Sequence, residues 1–188
     1  MKKTIINLFV AVIVATTASA GILPATSGDD SKAFVIDTDS WKSDYLEVVI
    51  RDNKGSMIFQ DKYTVKAGKK FNFENLPSGE YTITISDDLR TTTQNFEITR
   101  DAIFVSPEKV TEFKPVINKT DDHIDVNFLS NNNTTSVVIY DSNDRIYNKR
   151  FKDQKAIHQR FNISELPTGS YTLSVNSGGK TYTERFQK

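Results

Sequence analysis

The segment FNFENLPSGEYTITI at residues 71–85 returns as FNISELPTGSYTLSV at residues 161–175, with seven of the fifteen positions identical. A repeat of this length makes the chain a tandem array of two units. In each copy apolar and polar residues alternate. Tyr81, Ile83 and Ile85, and again Tyr171, Leu173 and Val175, fall on one face of an extended strand, with Thr82 and Thr84, and Thr172 and Ser174, on the other. A period of two predicts β-strands on both arms of the segment, joined by a Leu-Pro-x-Gly-x-Tyr corner.

Turn chemistry accounts for every residue of that corner. Pro77 and Pro167 lock φ, Gly79 and Gly169 offer backbone freedom closed to other residues, and Leu76 and Leu166 anchor the turn in a core. Tyr81 and Tyr171 then open the next strand. In immunoglobulin-like sandwiches a tyrosine at such a corner bonds back to the chain through its hydroxyl. The eight residues are therefore read as structural. The fold expected is all-β, two tandem small immunoglobulin-like antiparallel β-sandwiches.

Residues 1–20, MKKTIINLFVAVIVATTASA, read as a secretory signal peptide: two lysines, an apolar stretch too short to span a bilayer, and an Ala-Ser-Ala end. Residues 21–29 read as a flexible segment and residues 30–105 as the first sandwich. Ser106-Pro107 reads as a break that opens a connector over residues 106–112, and residues 113–188 form the second sandwich. In the first unit Asp52-Asn53-Lys54-Gly55 and Asp87-Asp88 mark hairpins. In the second, Asp141-Ser142-Asn143-Asp144 and Gly178-Gly179 take their places.

Composition narrows the function classes. The chain has 24 basic and 24 acidic residues; loss of Lys2 and Lys3 with the signal leaves a charge near −2, which argues against a nucleic-acid partner. With no cysteine there is neither a disulfide nor a lipid-bearing thiol, so packed aromatic and β-branched side chains must supply the stability. No membrane span is expected after cleavage.

His123 and His158 lie far apart in sequence without cysteine companions and read as surface imidazoles. Asp29-Asp30, Asp37-x-Asp39, Asp87-Asp88 and Asp121-Asp122 lack the twelve-residue loop of a calcium site and read as solvated turns, with a weak interdomain site at Asp121 or Asp122 the alternative. No Gly-x-Ser-x-Gly elbow is present. The reading is of a non-enzymatic protein with no catalytic residues, metal or cofactor. Arg145, Lys149, Arg150, Lys152, Lys155 and Arg160 form a basic run against one acid, Asp153, with Tyr147 and Phe151 interleaved. They serve either as a patch for an anionic glycan, lipopolysaccharide or a secretion-machine component, or as charges that guard an exposed edge strand. A similar cluster at Lys62, Lys66, Lys69 and Lys70 favours the second.

The stretch from Ser136 to Lys188 resembles the C-terminal sorting domain carried by cargo of the type IX (Por) secretion system of Bacteroidota. Asp141, Arg145, Ile163, Leu166, Pro167, Gly169, Tyr171, Gly178, Gly179, Lys180 and Lys188 fall on that pattern, and Asp52, Gly55, Leu76, Pro77, Gly79 and Tyr81 echo it. Asp144 departs from it, standing where the pattern has glycine. The resemblance implies a small seven-stranded β-sandwich and, as partner, the outer-membrane secretion machinery. Related immunoglobulin-like modules of exported proteins share the corner without the sorting role.

Two functions follow from these readings. The first is an exported binding or scaffold module of the periplasm, cell surface or medium, with a protein or glycan partner. The second makes the last unit a sorting signal across the outer membrane. In either case the exported protein is expected to begin at Gly21. Its intact mass checks this, and a species retaining Met1 or Lys2 would overturn the signal-peptide reading.

Overall fold

The computed structural model describes residues 22–24, 32–36, 38, 40–65, 69–142 and 144–188. The expected signal peptide lies outside them. The first unit runs through β1 (Ile22–Pro24), β2 (Ala33–Ile36), β3 (Tyr45–Asp52), β4 (Met57–Thr64), β5 (Lys69–Asn72), β6 (Gly79–Ser86), β7 (Arg90–Ile98) and β8 (Ile103–Phe113). The second repeats the plan with β9 (Val116–Lys119), β10 (His123–Leu129), β11 (Thr135–Asp141), β12 (Asp144–Phe151), β13 (Ala156–Asn162), β14 (Ser170–Ser177) and β15 (Lys180–Gln187). The expected flexible segment thus contains β1, whose backbone pairs antiparallel with β2. That pairing is made with a distant partner strand, so a short window of sequence does not reveal it.

Each unit is a sandwich of two antiparallel sheets. In the first, the order β1-β2-β5 faces β4-β3-β6-β7-β8; in the second, β9-β10-β13 faces β12-β11-β14-β15. Alternation puts Phe34, Ile36 and Phe71 of one sheet against Val48, Ile50, Ile83, Ile85 and Phe96 of the other, all buried. Ile124, Val126, Ile157 and Phe161 meet Val137, Ile139, Leu173, Val175 and Phe186 in the same way. Burying each such side chain is worth about 2 kcal/mol, so these two cores take the place of disulfides. Aromatic packing adds to the first: the Phe34 ring lies 4.8 Å from Phe73 and 5.3 Å from Phe96.

The expected break at Ser106-Pro107 and the connector over 106–112 are corrected by β8, which crosses both and pairs with β7 from Ile98↔Ile103 to Arg90↔Phe113. The register shifts between Gln94 and Phe96, leaving Ser106, Pro107 and Glu108 opposite Asn95. Proline lacks an amide donor, and a bulge on an edge strand is where that lack costs least. Gln94 Nε2 donates to the Ser106 carbonyl (2.6 Å), and Glu108 N–H donates to Ser106 Oγ (3.2 Å). The units therefore join at Lys114 and Pro115, between β8 and β9. Limited trypsinolysis is expected to spare Lys109. Rapid cleavage there, with both sandwiches otherwise protected, would show β8 detached from β7.

Candidate functional site

The two corners have one geometry. Tyr81 Oη donates to the Pro77 carbonyl at 2.8 Å, and Tyr171 Oη donates to the Pro167 carbonyl at 2.8 Å. Each ring stacks on the last phenylalanine of its unit, Tyr81 on Phe96 at 5.5 Å and Tyr171 on Phe186 at 5.4 Å, both with planes 20° apart. Leu76 N–H donates to Phe73 O (3.0 Å) and Leu166 N–H to Ile163 O (3.2 Å), while both leucine side chains pack on their cores. Burial, and then the Asp141 carboxylate nearby, push the Tyr171 phenol above its ordinary range.

The glycines of the corner act differently from expectation. Gly79 has φ +157°, at the margin of extended backbone, and Gly169 is not in the left-handed region. A Cβ at Gly169 would meet the Tyr171 ring at 3.7 Å, an ordinary contact. The left-handed glycines sit in the hairpins instead: Gly55 at +81°, Gly178 at +55° and Gly179 at +77°. Two consecutive positive φ values suit the two-residue link between β14 and β15. Asp144 belongs to β12 rather than to its turn, and Ser142 carries the positive φ, +52°.

The remaining residues of the sorting-domain pattern also serve the backbone. Asp141 and Arg145 flank the β11–β12 hairpin. Ile163 is buried and its N–H donates to Asp122 O at 2.8 Å. Gly169 and Lys188 exchange backbone hydrogen bonds of 3.2 and 3.0 Å. Lys180 pairs with Glu112 at the end of β8, and Lys188 Nζ donates to the Asp121 carbonyl.

The basic run lies along β12 and β13, which are edge strands of the two facing sheets. Two of its six members are committed. Arg160 grips Asp125 through two hydrogen bonds of 2.7 Å, and Lys149 donates to Gln159 while lying over the Phe151 ring. Asp125 and Arg160 are cross-strand partners on β10 and β13, a pairing no local window of sequence shows. Tyr147 meets Phe161 edge-on at 4.9 Å, so the interleaved aromatic closes the gap between the sheets. Arg145, Arg150, Lys152 and Lys155 remain exposed. In the first unit Lys62 covers the Tyr45 ring and Lys69 the Tyr63 ring; Lys66 lies outside the described residues.

The histidines stay apart. His123 Nδ1 bonds to Thr120 Oγ1 and His158 Nδ1 to Asn127 Oδ1, each at 2.9 Å. Asp87 Oδ1 accepts from Leu89 and Arg90 N–H at 2.8 and 2.7 Å and so caps its own hairpin. Asp29, Asp30, Asp37 and Asp39 lie outside the described residues, among which no three metal-ligating side chains converge. Among the described residues no helix is long and apolar enough to cross a membrane. A cleft of about 430 Å³ at the junction of the units is lined by Leu89, Phe113, Val116, Phe128 and Leu129, with His158 at its side.

Two sandwiches on one plan, with the pattern residues at corners and hairpins, define the class. Residues 30–99 and 118–188 both match the family described as the secretion system C-terminal sorting domain. The chain belongs to that family and carries its domain twice. Membership implies an exported protein. No curated protein matches the chain in sequence. Among solved structures, native alpha-2-macroglobulin from Escherichia coli, spanning domains MG0-NIE-MG1, is similar over 81% of this chain at 6% identity, with a TM-score of 0.29. The chain spans 57% of that structure's length.

Tyr81→Phe and Tyr171→Phe are each expected to lose about 1 kcal/mol of stability in denaturant unfolding, whereas Gly169→Ala should change it by no more than about 0.5 kcal/mol. Unchanged midpoints in both tyrosine variants would reject the hydroxyl bond as a structural tie. The Arg160 hydrogen bond holds the Asp125 carboxyl below the usual carboxylate range. A depressed carboxyl stabilises the fold above its unfolded value of about 3.9 and loses that contribution as pH falls through the folded value. Arg160→Gln should raise the Asp125 midpoint in an NMR titration; an unmoved midpoint would show that the pair does not form in solution.

Proposed function

We propose that the second unit is the export-sorting signal of this protein, recognised by type IX secretion machinery, with the first unit travelling as a folded domain. The match of residues 118–188 to the sorting-domain family carries this reading. The fold supplies the surface: the pattern residues are spent on corners and hairpins, and the exposed bases of β12 and the following loop form an electropositive edge that an acidic receptor face would steer toward. The protein acts without catalysis, its histidines serving as hydrogen-bonded surface groups.

A binding or scaffold role at the periplasm or cell surface is the second reading. It is favoured by the first unit's own match over residues 30–99, which makes both units candidates for the same recognition. A reporter fused between a signal peptide and residues 113–188, in a Bacteroidota host with the secretion system, is expected to reach the surface or medium. The same reporter on residues 30–113 should stay in the periplasm. Retention of both would overturn the sorting reading and leave the binding module. Changing Arg145, Arg150, Lys152 and Lys155 together to Glu in the first fusion should abolish delivery; undiminished delivery would assign those charges to edge protection alone.

A further inference from the structure

Among the described residues, the first unit has one strand, β8, with no counterpart in the second. In the first, β8 pairs along the outer edge of β7 and also lies against β1, so it bridges the two sheets and closes the seam between them. The closure buries polar groups: Thr92 is 1% exposed with its hydroxyl on Thr111 (3.1 Å), and Gln94 is 7% exposed. In the second unit β9 and β15 occupy the places of β1 and β7. Among the described residues, no strand pairs with the outer edge of β15. A cleft of about 320 Å³ opens between them, with Ile117, Ile124, Leu173 and Phe186 in its walls. Glu184, at the position of Gln94, is exposed there.

We propose that the open edge of β15 is a strand-acceptor site, filled by an extended segment of another protein that adds antiparallel to β15 as β8 adds to β7. Unpaired strand edges supply main-chain affinity, and a pocket for alternate side chains supplies specificity. The chemistry of the guest follows from the register of β8. Val105 opposes Phe96, whose place Phe186 takes, so the guest carries a branched aliphatic residue there toward the apolar walls; Ile103 opposes Ile98, whose place Lys188 takes. Lys109 opposes Gln94, and with Glu184 at that place the guest carries a base there. A second copy's β15 fits less well, because its inward residues Tyr182, Glu184 and Phe186 set a carboxylate where an aliphatic side chain is needed. The site stands whether or not the second unit directs export.

The test adds a peptide of residues 102–113, AIFVSPEKVTEF, in trans to the full chain and follows backbone hydrogen exchange. Amides of residues 180–187 are expected to slow about tenfold. The same peptide with Val105→Asp should leave them unchanged. The tethered β8 holds its own place on β7 through its high effective concentration, so β7 should show no difference. Absence of slowing at millimolar peptide, slowing confined to β7, or equal slowing by the Asp-substituted peptide would each overturn the proposal. Protection of β15 that rises with protein concentration without peptide would also overturn it, in favour of self-pairing.

Discussion

The chain must pass from one sheet to the facing one between β5 and β6, and again between β13 and β14, and the tyrosine hydroxyl bond to a proline carbonyl sets how it does so. Tyr81 and Tyr171 reach back four residues, so the turn closes at a fixed length and the following strand enters its sheet in a fixed register. A slip of one residue would turn Ile83 and Ile85, or Leu173 and Val175, out of the core. The same ring stacks on Phe96 or Phe186 of the neighbouring strand, which ties corner, sheet and core through one side chain.

That economy matters in a chain without disulfides. The first unit supplements its aliphatic core with a cluster of rings around Phe34, Phe71 and Phe73, and with an eighth strand. Among the described residues the second has fewer ring contacts, and a cleft opens along its seam. It also leans on its neighbour: Lys180 pairs with Glu112, and Tyr182 Oη donates to the Phe113 carbonyl at 3.5 Å. β8 of the first unit thus touches the second unit beside β15, whose outer edge is unpaired among the described residues.

The residues that mark the sorting-domain family here are those that make the fold. Pro167, Gly178 and Gly179 shape turns, Ile163 fills the core, and Lys188 closes backbone bonds to Gly169. Under the proposed reading, recognition rests on exposed groups rather than on the corner: Arg145 of the motif with Arg150, Lys152 and Lys155 beyond it, and the outer edge of β15, unpaired among the described residues. This division explains why modules sharing the corner need not share the sorting role.

Most of the architecture was legible because its causes are local. Period-two alternation, Leu-Pro-x-Gly-x-Tyr and Gly-Gly act over a few residues, and the repeat supplied each of them twice. What the tertiary structure decided is what depends on distant partners. Ser106-Pro107 reads as a break in isolation, yet pairing with β7 lets β8 absorb the proline in a bulge and run on to Phe113. Arg160 reads as one member of a basic patch, yet the pairing of β10 with β13 sets it on Asp125. Gly169 reads as a left-handed position, yet its backbone is held by Lys188 at the end of β15 in a conformation where a Cβ has room. Sequence by itself determined two β-sandwiches and their corners, because propensity and turn chemistry are properties of short segments. Which strand edges are covered and which charges are spent was decided by pairing across long separations, and that pairing is energetically set only when the sheets come together.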